Sequence, residues 1–283
     1  LKNLLKNLKM HNYLFNYNDY ISTPRKNGIS GLMRIRNEGE YLELSLRSYL
    51  PFFDEIIAVY NRCTDNTVEI LNKLSKEFNH LKVYHYEPNV WPPGSEKFVE
   101  LPPDHEESLV NYYNFTLSKS TFNIAAKIDA DQVAIPSTFK AVTDSIRAQG
   151  LHHFLSFKGI NLYRKNNKIY VKEDQPFQGL GDHGFFEVNK NSIWIKDPEA
   201  KYELFNYQSQ AFRQDVEYPL HYHLKGIKLD KGIGNWDLND NPNSRYHSIA
   251  EKRWIDAPVI NFTEFMKLND LDYIENFNIL GIK

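Results

Sequence analysis

The sequence has one cysteine, Cys63, among 283 residues. A single thiol excludes an internal disulfide and any zinc site built from several cysteines, and it fits a reducing compartment. There is no apolar run near the ~20 residues that a bilayer-spanning helix needs. No secretory leader is expected, because lysines interrupt the first ten residues. Neither sign of charge is in excess: 34 Lys and Arg stand against 36 Asp and Glu, a formal net of −2, which argues against a general nucleic-acid binder. Core-forming residues are not lacking. Apolar side chains make up 41% of the chain and aromatic ones 14%, enough to bury a sizeable core and to exclude a disordered chain.

Leu1, Leu4, Leu5 and Leu8 share one helical face, with Lys2, Lys6 and Lys9 around the rest. That spacing fits a basic helix lying on an anionic membrane and equally a helix docked on its own domain. Residues 1–27 therefore read as an amphipathic helix and a linker. From residue 28, strand and helix signals alternate. Strands are expected over 28–35, 54–60, 81–87 and 122–128, and helices over 39–50, 64–78 and 105–119. The strands are continuous apolar runs, which implies a parallel, doubly wound sheet covered on both faces. After Pro136 a helix is expected, then antiparallel strands over 153–165 and 168–174, a strand at 183–188, and helices near 243–253 and 263–277. The chain thus reads as α/β: a doubly wound, mixed but mainly parallel sheet over 28–136, extended by an antiparallel part over 137–283 of the same domain.

The fourth strand ends in "KIDADQ", residues 127–132. In open α/β sheets, ligands bind beyond the carboxyl ends of the strands. Asp129 and Asp131 sit at such an end, and residues two apart on an extended segment point the same way. Two adjacent carboxylates repel, so one pKa should rise unless a cation intervenes. The natural cation is Mg²⁺ or Mn²⁺, which keeps few protein ligands when phosphates supply the others. An acidic turn capping the next helix is the simpler alternative.

Three separated motifs carry a resemblance. "LMRIRNEGEYLELSLRSYLPFFDEIIAVYNRCTDNTVEIL" resembles the opening of nucleotide-sugar glycosyltransferases of the GT-A fold, as in family 2. "NYYNFTLSKSTFNIAAKIDADQ" resembles their later block, which ends in Asp-x-Asp. With "GDHGFF" and "HYHLK", the chain resembles most closely the bacterial β-1,4-N-acetylgalactosaminyltransferases of lipooligosaccharide synthesis. The resemblance implies a GT-A fold, a UDP-sugar donor and a divalent metal. It implies that Asp131 holds the metal and that Asp129 touches the donor ribose or a metal-bound water. A late histidine, His221 or His223, would complete the metal site. Asn114 would lie near the nucleoside, and Arg34 and Glu38 beside the nucleotide. Where the family has paired aspartates, this chain has Tyr60 and Asn61. Asn61 could accept the base N–H, and Tyr60 could stack on the base. Asp65 matches a further family aspartate, but it also reads as a helix cap.

"GLGDHG" spells G-x-G-x-x-G at 179–184, yet a strand-like run follows where a dinucleotide site needs a helix. Its glycines let backbone approach a sugar. Asp182 and His183 within it are the acid–base candidates, with Glu203 as an alternative base, or a plain surface residue if it lies on a helix. Lys225 is placed to neutralise the leaving diphosphate. Trp91, Trp194 and Trp236 could stack on sugars or simply pack. The expected function is an inverting, metal-dependent transfer of a hexose or N-acetylhexosamine onto a surface glycan or glycolipid, such as lipooligosaccharide or capsule. The expected location is cytoplasmic, with peripheral contact to the inner membrane face through residues 1–10. The rivals are a sugar nucleotidyltransferase, whose glycine-rich basic loop "RIRNEGEY" does not resemble, and a non-catalytic carbohydrate-binding protein.

Overall fold

The computed structural model describes residues 13–92, 95–166, 168–178, 183–196, 203–206, 213–229 and 258–269. The helix expected at 1–10, the helix at 243–253, Trp236 and Asp182 lie outside the described residues. In chain order the elements are α1 (Tyr17–Ser22), β1 (Lys26–Ile35), α2 (Leu42–Tyr49), β2 (Glu55–Tyr60), α3 (Thr67–Glu77), β3 (Leu81–His85), α4 (Glu96–Glu100), α5 (Leu109–Ser118), β4 (Phe122–Lys127), β5 (Gln132–Ala134) and α6 (Pro136–Gln149). There follow β6 (Phe154–Ser156), β7 (Gly159–Lys165), β8 (Lys168–Lys172), β9 (Gly184–Glu187), β10 (Ile193–Lys196), β11 (Glu203–Asn206), β12 (Arg213–Asp215), β13 (His221–Gly226), β14 (Val259–Asn261) and α7 (Phe262–Leu268).

The main sheet has the order β12-β6-β9-β4-β1-β2-β3. β4, β1, β2 and β3 run parallel, and β9 inserts antiparallel between β4 and β6. The strands of the parallel part alternate between two cores, as period-2 side chains must. Met33, Ile35, Ile56 and Ala58 pack with Leu42, Leu46, Leu71 and Phe139 on one face. Leu32, Ile57 and Val59 pack with Val110, Tyr113 and Phe115 of α5 on the other. A second sheet, β14-β8-β7-β13-β5, covers a third core through Ile160, Leu162, Val171, Tyr222 and Leu224 with Phe262 and Phe265 of α7. The architecture is a mixed α/β layer with a large, mainly parallel sheet and an antiparallel extension.

Three local expectations change. Residues 16–28, read as a linker, hold α1 and the start of β1. Asn16 caps that helix through its side chain, and the buried Tyr20 hydroxyl donates to the carbonyls of Asn189 and Ser192. The strand expected over 153–165 is divided between the two sheets: β6 joins the main one and β7 the second. The break precedes Gly159, where a Cβ would overlap the His221 ring, so only glycine lets β7 pass the β13 histidine. The halves 28–136 and 137–283 also interleave. β5 of the first belongs to the second sheet, and β6 and β9 of the second belong to the main sheet.

Candidate active site

The short connection from β4 to β5 joins the two sheets, and it carries both aspartates. Ile128 N–H donates to the Leu32 carbonyl (3.1 Å), and Leu224 N–H of β13 donates to the Asp131 carbonyl (2.8 Å). The turn between them is closed by Gln132. Its N–H donates to the Asp129 carbonyl, and its side-chain Oε1 accepts from the Asp129 N–H at 3.0 Å. Gln132 is fully buried and is braced from behind. Its Nε2 donates to Gln178 Oε1 (3.2 Å), which also accepts from His221 Nε2–H (2.6 Å). The backbone that aims the carboxylates is thus fixed by a buried amide relay, with every link a hydrogen bond.

The two carboxylates have different company. Asp129 accepts from Lys127 Nζ at 3.1 and 3.3 Å and from His183 Nε2 at 2.7 Å, and the Arg34 guanidinium lies 3.7 Å away. Burial pushes its pKa up, but Lys127, then His183 and Arg34, outweigh this and hold the carboxyl well below the usual range. Asp131 faces His223, with Nε2 3.7 Å from its Oδ2. Burial again raises the pKa, and the His223 and Lys228 charges overcome it, while repulsion from Asp129 is the smaller effect. The carboxylate pair therefore ionises fully, because each member has its own cationic neighbours.

His223 has a defined tautomer. Asn161 Nδ2 donates to the Gln175 carbonyl at 3.0 Å, so its Oδ1 is turned to His223 Nδ1, 2.8 Å away. Nδ1 must then carry the proton. Nε2 is then the ring nitrogen that faces Asp131, the orientation that an outer carbonyl imposes on a metal-binding histidine. His221 is different. It is fully buried, spends Nε2 on Gln178, and burial with His183 and His223 nearby holds its pKa well below the ordinary value. Its position is that of a neutral strut.

The other candidates are distributed as follows. The Arg34 guanidinium rests 3.5 Å over the Tyr113 ring. Glu38 accepts from Lys228 Nζ at 2.7 Å, and both side chains are nearly inaccessible. Asn61 is buried, and its Nδ2 donates to the carbonyls of Tyr86 and Pro88, which fixes the amide orientation. Tyr60 lies flat on His85, with centroids 4.6 Å apart, and packs with the opposite core from Leu32. Asn114 uses both ends of its amide on the backbone of Trp194, at 2.8 Å each. Trp194 is buried among aromatic side chains, and Trp91 donates to Glu107. Lys225 is half-buried on β13. Glu203 lies on strand β11, paired opposite Lys196, and not on a helix. Asp65 caps Thr67 N–H and also accepts from Gly39 N–H.

A family model described as "Beta-1,4-N-acetylgalactosaminyltransferase (CgtA)" matches residues 4–267. The chain belongs to the CgtA family. None of the curated proteins matches it. Among solved structures, S. aureus TarS 1–349 is similar at 16% identity with a TM-score of 0.46, covering 70% of this chain and 61% of TarS. Glucosyl-3-phosphoglycerate synthase from Mycobacterium tuberculosis, in complex with Mn²⁺, UDP and phosphoglyceric acid, is similar at 18% identity with a TM-score of 0.31. It covers 54% of this chain and 49% of that one. A mannosyltransferase from Pyrobaculum calidifontis, in complex with GDP-mannose and Mn²⁺, gives 14% identity and a TM-score of 0.34, covering 54% and 42%.

In this CgtA-family chain, sequence reading missed Lys127, Gln132, Asn161, Gln178 and Lys228. Lys127 had a signal: it is a charged residue inside an otherwise apolar strand, where an unpaired lysine would be costly. Asn161 had a weaker one, a single amide in "GINLY". The other three have no local signature, because their partners are distant in sequence or lie in another strand.

Proposed function

We propose that this chain is an inverting glycosyltransferase that uses a divalent metal to move N-acetylgalactosamine from its UDP-linked form onto a hydroxyl of a bacterial surface glycan. The observation that carries the reading is the approach of His223 Nε2, its ring oriented by Asn161, to within 3.7 Å of Asp131. A carboxylate oxygen and a neutral imidazole suit Mn²⁺ or Mg²⁺. Among the described residues no group of three or more His, Cys, Asp and Glu side chains is placed to hold a metal, so donor phosphates would complete the coordination. When bound, the ion would offset charge on the departing diphosphate.

The chain's own residues supply the rest. Arg34 and Lys127, held on Asp129, form a cationic wall beside the metal ligands. Asn61, its Nδ2 tied to two carbonyls, presents Oδ1 as an acceptor for a base N–H. Asp182 adjoins His183 in sequence and is assigned as the base. The acceptor O–H bond breaks as its proton goes to that base, and the oxygen bonds to C1 of the sugar. The C1–O bond to phosphate breaks, and its electron pair leaves with UDP. One displacement inverts C1, so an α-linked donor yields the β product that the family description names. No helix of the described residues is long and apolar enough to cross a membrane. We propose peripheral contact with the inner membrane face through residues 1–10.

The test is transfer from UDP-N-acetylgalactosamine to a glycan acceptor array, with Mn²⁺ and with EDTA. Metal-dependent release of UDP with a β-linked product is expected. Equal turnover in EDTA would remove the metal from the reading, and an α-linked product would remove single displacement.

A further inference from the structure

We propose that Lys228 binds the donor's diphosphate, held beside Asp131 by Glu38. This rests on reading the Asp131–His223 site as a nucleotide-sugar site. The sequence suggested Lys225 for such a role, but the fold brings Lys228 to the metal-ligand side. One residue joins the two positions. Leu224 N–H donates to the Asp131 carbonyl (2.8 Å), and the Leu224 carbonyl accepts from Lys228 N–H (3.2 Å). The positive charge of Lys228 is also among those that keep Asp131 ionised.

The lysine is held at both ends. Its Nζ donates to Glu38 Oε2 at 2.7 Å, and the side chains are only 3% and 8% exposed. Glu38 is itself fixed at the start of α2: its N–H donates to Thr67 Oγ1, and its carbonyl accepts from Tyr41 and Leu42. The next residue along is tied as well, because Leu229 N–H donates to Glu40 Oε2 at 3.0 Å. Two acidic side chains of one loop thus fasten two successive residues after β13, across about 190 positions of sequence.

A buried ion pair stabilises a fold little more than a neutral pair of the same shape. What it does provide is a point charge at a fixed place. Arg34 and Lys127 both face Asp129, whereas Lys228 acts on Asp131. A departing diphosphate gains negative charge as the C1–O bond breaks, and a preplaced ammonium stabilises that charge without reorganising. Glu38 keeps the ammonium in position and ionised before the donor arrives.

The experiment compares UDP and uridine binding by calorimetry in Mn²⁺. Lys228→Met alone leaves Glu38 without its ion pair, so the informative variant is Glu38→Gln/Lys228→Met, which removes both charges and keeps the volume. It should melt near wild type, bind UDP about tenfold or more weakly, and bind uridine within about twofold of wild type. Lys228→Arg should recover most of the UDP affinity. Unchanged UDP affinity in the double variant would overturn the inference, as would equal weakening toward UDP and uridine, which marks a structural role. If wild type binds none of UDP, GDP and CDP, the reading of the site falls and this inference with it.

Discussion

His223 turns its Nε2 toward Asp131 because its Nδ1 is held by the Asn161 Oδ1, 2.8 Å away. The histidine sits on β13 and the aspartate in the β4–β5 turn, and β13 pairs with both β7 and β5. The second sheet thus brings together the histidine, the residue that orients it, and the carboxylate.

Asn161→Leu is expected to weaken Mn²⁺ binding in the presence of UDP by about 10–100-fold, the usual effect of losing an outer partner of a metal-binding histidine. Manganese titration followed by calorimetry measures it. Asn161→Asp, which keeps an acceptor oxygen, should be milder. Equal Mn²⁺ affinity in wild type and Asn161→Leu would remove His223 from the metal site.

The two aspartates should fail differently. Asp131→Asn should melt near wild type and lose the extra stabilisation that UDP gives with Mn²⁺ over EDTA, a mass-action effect. Asp129→Asn should unfold more easily, because Lys127 is buried and loses its counter-charge. Breaking a fully buried pair costs ~3–5 kcal/mol, and the part-exposed Asp129 puts this case at or below the lower end. Adding Lys127→Met to Asp129→Asn should restore much of the stability. Differential scanning calorimetry separates the two patterns, and identical behaviour of both aspartates would refute the division of roles.

Sequence periodicity was enough to place β1 through β4 and their helices, because strands buried on both faces are continuous apolar runs. It also placed Asp129 and Asp131 just past the end of β4, as a strand that ends in polar residues indicates. It was not enough to divide 153–165 between two sheets. That break depends on Gly159 meeting His221, 62 positions later, and no local pattern reports a contact at such distance. The same limit hid the partners of each carboxylate. Two aspartates look repulsive in a string of letters, and the structure gives each its own cations.

Gly159→Ala tests the close passage of β7 and β13. A Cβ there overlaps the His221 ring, so the ring or the strand must shift. Overpacking of this kind costs about 1–3 kcal/mol, and here it also strains the Gln178–Gln132 relay behind Asp129. A lowered melting temperature with reduced kcat is expected. Gly159→Ala/His221→Ala should recover stability by making room. If the single variant melts like wild type, β7 has slack that the structure does not show.

Asp182→Asn tests the base. Asp182 adjoins His183, whose Nε2 donates to Asp129, so the chain is anchored at the β4–β5 turn one residue after it. Removing a proton from an attacking hydroxyl is worth about 10²–10⁴-fold in rate, and the amide keeps the shape but cannot take the proton. Asp182→Asn should therefore lower kcat by that factor while UDP affinity stays near wild type. Glu203→Gln is the competing experiment. Glu203 is on the β10–β11 ribbon, which packs through Trp194 against Tyr113 of α5, and its partner across the ribbon is Lys196. A large fall in kcat for Glu203→Gln, with Asp182→Asn near normal, would move the base to that ribbon and the acceptor with it. A fall in UDP affinity for Asp182→Asn would instead assign that residue to the donor side.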